Sequence, residues 1–317
     1  MDMSEDTIHL IIDNKPVAVK PGWTIMQAAR DVGLSIPSLC DSPQLKGFGS
    51  CRLCSVEIEG RRGFFASCTT PAADGMIVNT RTDKLWKLRR GIVELYASEH
   101  SFTCQTCVAN NNCELQNIAH QVELSDVRYN VAPSNTNRGV DESSPFFFFD
   151  PSKCIVCSRC IRACDDLQVT HALSIDGRGF DSRIVAGADE SFMESDCVSC
   201  GACVNECPVG ALEEKQLRAT GNPDKWVRTT CAFCGVGCQF DAGIKGNQLV
   251  TMKPAADSPV NNGHSCVKGR FASAYVNHKE RLTTPLIRGS IDDEFREASW
   301  EEAYAYIADR WKRTAKE

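Results

Sequence analysis

The sequence has no secretory leader, no long apolar run and no excess of basic charge. Residues 1–13 contain neither a basic stretch nor the apolar core of a signal peptide, and no twin-arginine pair. The apolar run Phe146 to Phe149 is four residues long, far below the roughly 20 that span a bilayer. A net charge of −6 argues against nucleic acid or an anionic membrane as the main partner. We therefore expect a cytoplasmic chain without a membrane span.

The sequence also offers no recognisable general acid, nucleophile or substrate site, so no catalytic residue is assigned. Cysteine, in contrast, is abundant, with nineteen in 317 residues. Short secreted proteins use such a density for disulfides, but this chain is long and has no leader. In a reducing compartment, clustered thiols indicate metal binding instead.

All nineteen cysteines fall into five groups, and His100 is the fourth residue of the one group that has three cysteines. The groups, in chain order, are Cys40, Cys51, Cys54 and Cys68; His100, Cys104, Cys107 and Cys113; Cys154, Cys157, Cys160 and Cys164; Cys197, Cys200, Cys203 and Cys207; and Cys231, Cys234, Cys238 and Cys266. We number them one to five. The other histidines stand near no incomplete group and are interpreted as ordinary.

Groups three and four each have the Cys-x2-Cys-x2-Cys-x3-Cys spacing of bacterial ferredoxins. In that arrangement the fourth cysteine of each run binds the cluster of the other run. We therefore predict one [4Fe–4S] cluster on Cys154, Cys157, Cys160 and Cys207, and a second on Cys197, Cys200, Cys203 and Cys164. Pro208 follows the last cysteine as expected, whereas Asp165 follows Cys164. Zinc, which also favours Cys-x2-Cys pairs, is the alternative for all these groups.

Local patterns predict an α+β chain of several small modules. Residues 7–13, 17–20, 55–58, 64–67 and 76–79 have strand character, and Thr24 with Gln27 forms a capping box for a helix. Residues 82–99 have helical periodicity, and a further helix is expected near Cys113. Ser299 with Glu302 predicts a second capping box. Modules this small need bound metal for stability.

Three segments resemble known families. Residues 49–56 (GSCRLCSV) resemble the [2Fe–2S] domains of complex I and iron-only hydrogenase subunits, and the His100 group resembles the His-ligated [4Fe–4S] module that follows it there. Residues 230–238 (TCAFCGVGC) and 263–271 (GHSCVKGRF) resemble the first [4Fe–4S] segment of molybdopterin oxidoreductases, and most closely cytoplasmic formate dehydrogenases. Residues 281–286 (RLTTPL) and 300–303 (WEEA) resemble the entry into the pterin-binding domain.

These resemblances imply a layout of five modules. They are a β-grasp [2Fe–2S] domain at 1–80, a helical [4Fe–4S] module with one histidine and three cysteine ligands at 81–140, a two-cluster ferredoxin-like domain at 141–220, a β-rich [4Fe–4S] module at 221–285, and the start of a pterin-binding domain at 286–317. The cofactors implied are one [2Fe–2S] and four [4Fe–4S] clusters, with Lys268 between the last cluster and a pterin. Molybdenum or tungsten is expected only where a catalytic domain follows.

The resemblance implies the wiring region of an oxidoreductase, namely a formate dehydrogenase coupled to NAD or ferredoxin, in which formate is oxidised or CO2 reduced. Expected partners are a flavin-bearing NADH diaphorase-type subunit and ferredoxin, in a hetero-oligomer. The alternative is a stand-alone electron relay in a larger NAD–ferredoxin or hydrogenase-type complex, without its own active site. The 317 residues alone are not expected to turn over formate.

Overall fold

The computed structural model describes residues 7–100, 102–129 and 138–316. The chain divides into two compact units between Ala272 and Ser273. Helices and strands are mixed throughout, which confirms the α+β class. The five module boundaries stay predictions, and residues 1–6, 101, 130–137 and 317, which fall in three of the modules, lie outside the described residues. None of the described helices is long and apolar enough to cross a membrane.

A five-stranded mixed sheet with one helix opens the first unit. Its elements are β1 (Ile8–Ile12), β2 (Lys15–Val19), α1 (Ile25–Asp31), β3 (Ser55–Ile58), β4 (Phe65–Ala66) and β5 (Ile77–Asn79). The strand order is β2-β1-β5-β3-β4, with β1 parallel to β5 and the other neighbours antiparallel. The predicted capping box is present, because Thr24 accepts from the backbone of Gln27 and the Gln27 side chain accepts from that of Thr24.

Two helices follow, α2 (Asp83–Glu99) and α3 (Glu114–Gln121), as the periodicity predicts. Thr82 caps α2 by accepting a hydrogen bond from the backbone N–H of Leu85. Cys113 stands at the N-cap position of α3. Backbone hydrogen bonding thus fixes one end of the second cysteine group to a helix start.

In the segment that contains groups three and four, two strands far apart in sequence pair with each other. The elements there are β6 (Phe147–Phe149), α4 (Arg159–Arg162), β7 (Leu173–Asp176), β8 (Arg183–Ala186), α5 (Ala202–Glu206), β9 (Leu212–Glu214) and α6 (Lys215–Thr220). Strand β6 pairs antiparallel with β9, and β7 with β8. All three residues of β6 are buried. The phenylalanine run is therefore core, and it joins the two ends of this segment.

The first unit ends with a three-stranded antiparallel sheet, formed by β10 (Lys225–Thr230), β11 (Gln239–Lys245) and β12 (Gln248–Pro254), and with helix α7 (Val267–Phe271). Phe240 is fully buried at its centre. A Cβ at Gly269 would come within 2.7 Å of the Phe240 ring, so glycine allows α7 to approach the sheet.

The second unit contains a short hairpin, β13 (Leu286–Ile287) and β14 (Arg296–Glu297), and helix α8 (Trp300–Thr314). Ser299 caps α8 by accepting from the backbone of Glu302 at 3.1 Å. The predicted reciprocal half of this capping box is wrong. The carboxylate of Glu302 pairs with the guanidinium of Arg296 instead, because a charged donor on the neighbouring strand outcompetes a backbone N–H.

Candidate metal centres

All four cysteines of group one are buried, and their sulfurs lie in two close pairs. The sulfurs of Cys54 and Cys68 are 3.4 Å apart, and the backbone N–H of Cys51 donates to the sulfur of Cys40 at 3.4 Å. The hydrogen bond with Cys40 lowers the pKa of Cys51 to about 6, and the one with Cys68 lowers the pKa of Cys54 to about 7. The pKa values of Cys40 and Cys68 are raised in turn. Cys51 and Cys54 therefore lose their protons more readily than their partners, and the thiolate is the form that binds metal.

The loop between Cys40 and Cys51 approaches the other half of group one closely. A Cβ at Gly47 would overlap the carbonyl oxygen of Cys68, so no larger residue fits without moving the backbone. The backbone N–H of Leu39 donates to the sulfur of Cys51 at 3.5 Å. Such N–H···S bonds are among the features that set the potential of an iron–sulfur centre.

Thiols of groups three and four lie within electrostatic reach of one another across the two runs. Burial raises the pKa of the Cys160 thiol well above its ordinary value, and the neighbouring sulfurs of Cys157, Cys154 and Cys207 add to the rise. We call these four residues the first cubane set. Three come from one run and Cys207 comes from the other.

A complementary contact involves the second run. Burial likewise raises the pKa of the Cys203 thiol, followed by the contributions of Cys200, Cys197 and Cys164. We call these four the second cubane set. The two sets also act on each other, because Cys203 adds to the rise at Cys160 and Cys207 adds to the rise at Cys203. The crossing of the two runs and ligation by these residues stay predictions.

The two runs also share a backbone feature. Val156 and Ser199, two residues after the first cysteine of each run, have left-handed φ angles of 49° and 53°. Their N–H groups each donate to that first sulfur, Cys154 or Cys197, at 3.4 Å. A left-handed residue is costly for a β-branched side chain such as valine. The sequence accepts that cost where the backbone must point an N–H at a sulfur.

In group two the structure brings three cysteines together. Burial raises the pKa of Cys113, with further contributions from Cys107 and Cys104. His100 is buried at the C-terminal end of α2, with its ring edge-on to Phe102 at 5.4 Å between centroids. Ligation by His100 stays a prediction.

Group five lies nearest the surface. Cys234 and Cys266 are exposed, and the pKa of Cys238 is raised first by burial and then by Cys231, Cys234 and Cys266. The backbone N–H of Cys231 donates to the carbonyl of Cys238 at 2.8 Å, which closes the loop. Lys268 is exposed in the first turn of α7, two residues after Cys266. Its predicted position between the group-five cluster and a pterin is compatible with that exposure and stays a prediction.

The residues present suit iron–sulfur clusters. All nineteen cysteines are free thiols. Within the described ranges, no group of three or more His, Cys, Asp or Glu is placed to hold a single metal ion. The pairing of free thiols with backbone N–H donors is the donor set such clusters use.

Sequence reasoning missed two arginines beside these groups, Arg159, which is buried, and Arg162, which is half-buried. Arg159, in α4, contacts Glu114 at 2.8 Å and Glu206 at 3.6 Å. Arg162, three residues later, donates to the loop that carries Cys40. The sequence does contain a signal for these contacts, because the two arginines lie between the cysteines of group three. Arginine so close to clustered thiols is expected to act on them electrostatically.

Families of known proteins match the chain in order along its length. The matches are a 2Fe-2S iron-sulfur cluster binding domain at residues 5–83, the NADH-ubiquinone oxidoreductase-G iron-sulfur binding region at 89–128, a 4Fe-4S dicluster domain at 153–211, the molybdopterin oxidoreductase Fe4S4 domain at 224–278 and molybdopterin oxidoreductase itself at 281–317. The chain carries the N-terminal iron–sulfur region of the molybdopterin oxidoreductase family. Its [2Fe–2S] and [4Fe–4S] domains are those of iron–sulfur electron-transfer proteins.

Curated relatives of this family region are considerably longer. A probable oxidoreductase, YjgC, of Bacillus subtilis is 32% identical over 91% of this chain and 33% of its own length. The NADPH-Fe(3+) oxidoreductase subunit alpha of Geobacter sulfurreducens is 33% identical over 90% of the chain and 33% of its own length. A putative formate dehydrogenase of Staphylococcus haemolyticus is 30% identical over 98% of the chain and 35% of its own length. The chain thus spans about a third of these relatives.

A solved structure is similar over a shorter stretch. A chain of an NAD+-reducing [NiFe]-hydrogenase in the H2-reduced state is 32% identical, with a TM-score of 0.56. The alignment covers 66% of this chain and 87% of the hydrogenase chain. Similar modules therefore occur in proteins that act on different substrates.

Proposed function

We propose that this chain conducts electrons between an active site and a partner through one [2Fe–2S] cluster at group one and four [4Fe–4S] clusters at groups two to five. The observation that supports the proposal is the electrostatic contact of Cys207 with Cys160 and of Cys164 with Cys203, each made across the two ferredoxin-like runs. In the proposal the two runs exchange these fourth thiols, which gives four thiols to each of two adjacent cubanes.

The clusters supply one-electron chemistry, at potentials that range from roughly −700 to +450 mV in proteins. The chain's own residues do the rest. Burial of Cys160 and Cys203 keeps water from the sulfurs. The N–H groups of Val156 and Ser199 stabilise negative charge on sulfur. Because burial raises the pKa of the Cys160 and Cys203 thiols, metal binding there releases their protons.

We further propose that these residues are the wiring region of a formate dehydrogenase coupled to NAD or ferredoxin. The support is the resemblance of residues 263–271 and the similarity to the putative formate dehydrogenase. In this proposal Lys268 stands between the group-five cluster and a pterin, and the five modules keep their predicted bounds. A flavin-bearing NADH diaphorase-type subunit accepts or supplies the electrons in a cytoplasmic hetero-oligomer. The ferredoxin partner rests on the resemblance alone.

A second candidate is the relay subunit of a hydrogenase-type complex. It is favoured by the solved NAD+-reducing hydrogenase chain, most of which this chain covers. In that case no pterin site belongs to the same polypeptide. The two candidates predict different electron donors and different polypeptide masses.

The test starts from the native protein, purified anaerobically from its source cells. Iron and acid-labile sulfide are quantified, and the visible and EPR spectra are recorded as purified and after reduction with dithionite. Five centres, including one with [2Fe–2S] spectra, support the relay. Zinc without labile sulfide overturns it. Reduction of the centres by formate, in a polypeptide much heavier than 34.9 kDa, supports the formate dehydrogenase. Reduction by H2 in a complex whose polypeptide has about that mass supports the alternative.

A further inference from the structure

Helix α4 places a cation at the junction of two cysteine groups. The Nη1 of Arg162 donates to the carbonyl oxygen of Lys46 at 2.8 Å, and its Nη2 donates to the carbonyl oxygen of Cys40. The guanidinium carbon lies 4.8 Å from the centroid of the Phe48 ring. All three contacts are made to loop 40–51, which connects two cysteines of group one. One side chain of the ferredoxin-like segment therefore holds the [2Fe–2S] loop at three points.

The same side chain stands next to the first cubane set. Arg162 lies in α4, two residues after Cys160. Cys160 is buried in the same hydrophobic cluster as Cys40 and Cys51, and Cys157 packs against that cluster. Group one and the first cubane set are thus neighbours of the same cation.

Charge balance distinguishes Arg162 from its neighbour. The charge of Arg159 is offset by Glu114 at 2.8 Å and Glu206 at 3.6 Å. For Arg162, the structure shows no carboxylate partner among residues 7–100, 102–129 and 138–316. Its hydrogen bonds go to neutral carbonyls, so its full positive charge acts on the surroundings.

A bound cluster with four cysteinate ligands is anionic and becomes more so when it is reduced. Net charge and hydrogen bonding are among the features that set its potential, and an uncompensated cation in a partly buried site favours the reduced form. Arg162 contacts the loop of one predicted cluster and shares a helix with Cys160, a predicted ligand of the next, so its charge lies near both.

We propose that Arg162 is a positioning residue shared by two centres: it fixes loop 40–51 against the first cubane set, and its charge holds the reduction potentials of both centres above the values they have without it. This inference rests on the proposed function, since it requires clusters at both groups. It adds a specific residue through which the two centres are tuned together.

The test is a potentiometric titration of the full-length protein, purified anaerobically in its native complex and monitored by EPR. R162Q removes the charge and keeps a hydrogen-bond donor, whereas R162K keeps the charge and loses the planar fork. F48L removes the aromatic contact alone. R61Q, in the exposed turn between β3 and β4, is the matched control for a lost surface charge.

The expected result is a fall in the midpoint potentials of the [2Fe–2S] centre and the adjacent cubane in R162Q, and a smaller change at the other three. In R162K both midpoint potentials should return most of the way to the wild-type values, and in F48L and R61Q they should stay near the wild-type values. Equal shifts in R162Q, R162K and F48L would show a purely structural role and overturn the inference. Unchanged potentials in R162Q, or equal shifts at all five centres, would also overturn it.

Loss of a cluster would also be informative. If R162Q loses the iron of group one, the surviving cubane decides: a lowered potential there, absent in R162K, supports the inference, and an unchanged one overturns it. If the wild-type protein shows no cluster signals, the proposed function fails. If the wild type shows them and R162Q leaves them unmoved, only this inference fails.

Discussion

Replacing Arg89 by methionine should strongly destabilise the first module of the chain. Arg89 lies in α2 and is fully buried. Its guanidinium donates to the carbonyls of Leu53 at 3.0 Å, Thr80 at 2.8 Å and Ser55 at 3.0 Å. It also stacks on Trp86, with its central carbon 5.1 Å from the ring centroid. This one side chain therefore ties α2 to the strand and loop that carry Cys54.

The magnitude follows from two opposing contributions. Burial lowers the pKa of Arg89 to about 10, so holding the charge inside costs about 3 kcal/mol. Three hydrogen bonds from a charged donor, at about 2 kcal/mol each, more than offset that cost. Methionine removes both contributions and leaves three enclosed carbonyls without this donor. We expect R89M to lower the free energy of unfolding by about 3 to 5 kcal/mol.

The assay is urea unfolding of holoprotein under anaerobic conditions, followed by tryptophan fluorescence and by loss of the [2Fe–2S] absorbance. With a slope of about 1.5 kcal/mol per molar urea, the midpoint of this module should fall by about 2 to 3 M. R90M is the matched control, because Arg90 is the next residue and is partly exposed with an ion pair to Glu94 at 3.7 Å. If R89M and R90M unfold at the same midpoint, the three-carbonyl argument is wrong.

Three further substitutions test other groups. H100A should lose one four-iron centre, seen as roughly four fewer irons per chain and a missing EPR signal. The control H120A, on the exposed side of α3, should keep all of its iron. Full iron content in H100A would refute His100 as a ligand. Burial raises the pKa of Glu213 to about 7, so its contribution to stability is fully present below about pH 4.5 and is lost as the pH rises through 7; E213Q should flatten the fall in urea midpoint between pH 5 and 7.5, and an unchanged slope would contradict the assignment. R270Q removes the cation that pairs with the buried carboxylate of Glu214, and it should lower the free energy of unfolding by about 3 to 5 kcal/mol. R218Q, which removes the exposed pair with Glu142, should lower it by less than about 1 kcal/mol. Equal shifts of the melting temperature in the two variants would count against the contribution of the buried pair.

The grouping of the cysteines follows from the sequence because spacing limits which thiols can converge. The ferredoxin spacing predicts that Cys207 joins the first cubane set, and Cys207 acts electrostatically on Cys154 and Cys157 in the structure, while its ligation there stays a prediction. Helix starts were equally readable, since the signal at Thr24 lies within four residues. Local chemistry fixed these features.

Long-range features could not be predicted in the same way. The pairing of Phe147–Phe149 with Leu212–Glu214 does not follow from the sequence pattern. Strand pairing across many residues leaves no local signature, and a run of phenylalanines can be buried in a helix or a strand alike. The burial of Arg89 escapes prediction for a related reason, because its carbonyl partners, Leu53, Ser55 and Thr80, belong to two segments of the chain outside its own helix.

The crossing of Cys164 and Cys207 has a consequence for how the protein is made. During synthesis, the first three thiols of the first cubane set leave the ribosome well before the fourth, which belongs to the later run. If the clusters form as proposed, neither cubane can be completed until both runs have been translated and brought together. Insertion of the two clusters then becomes a single late event in biogenesis. A nascent chain released before Cys197 would retain neither cluster, rather than one.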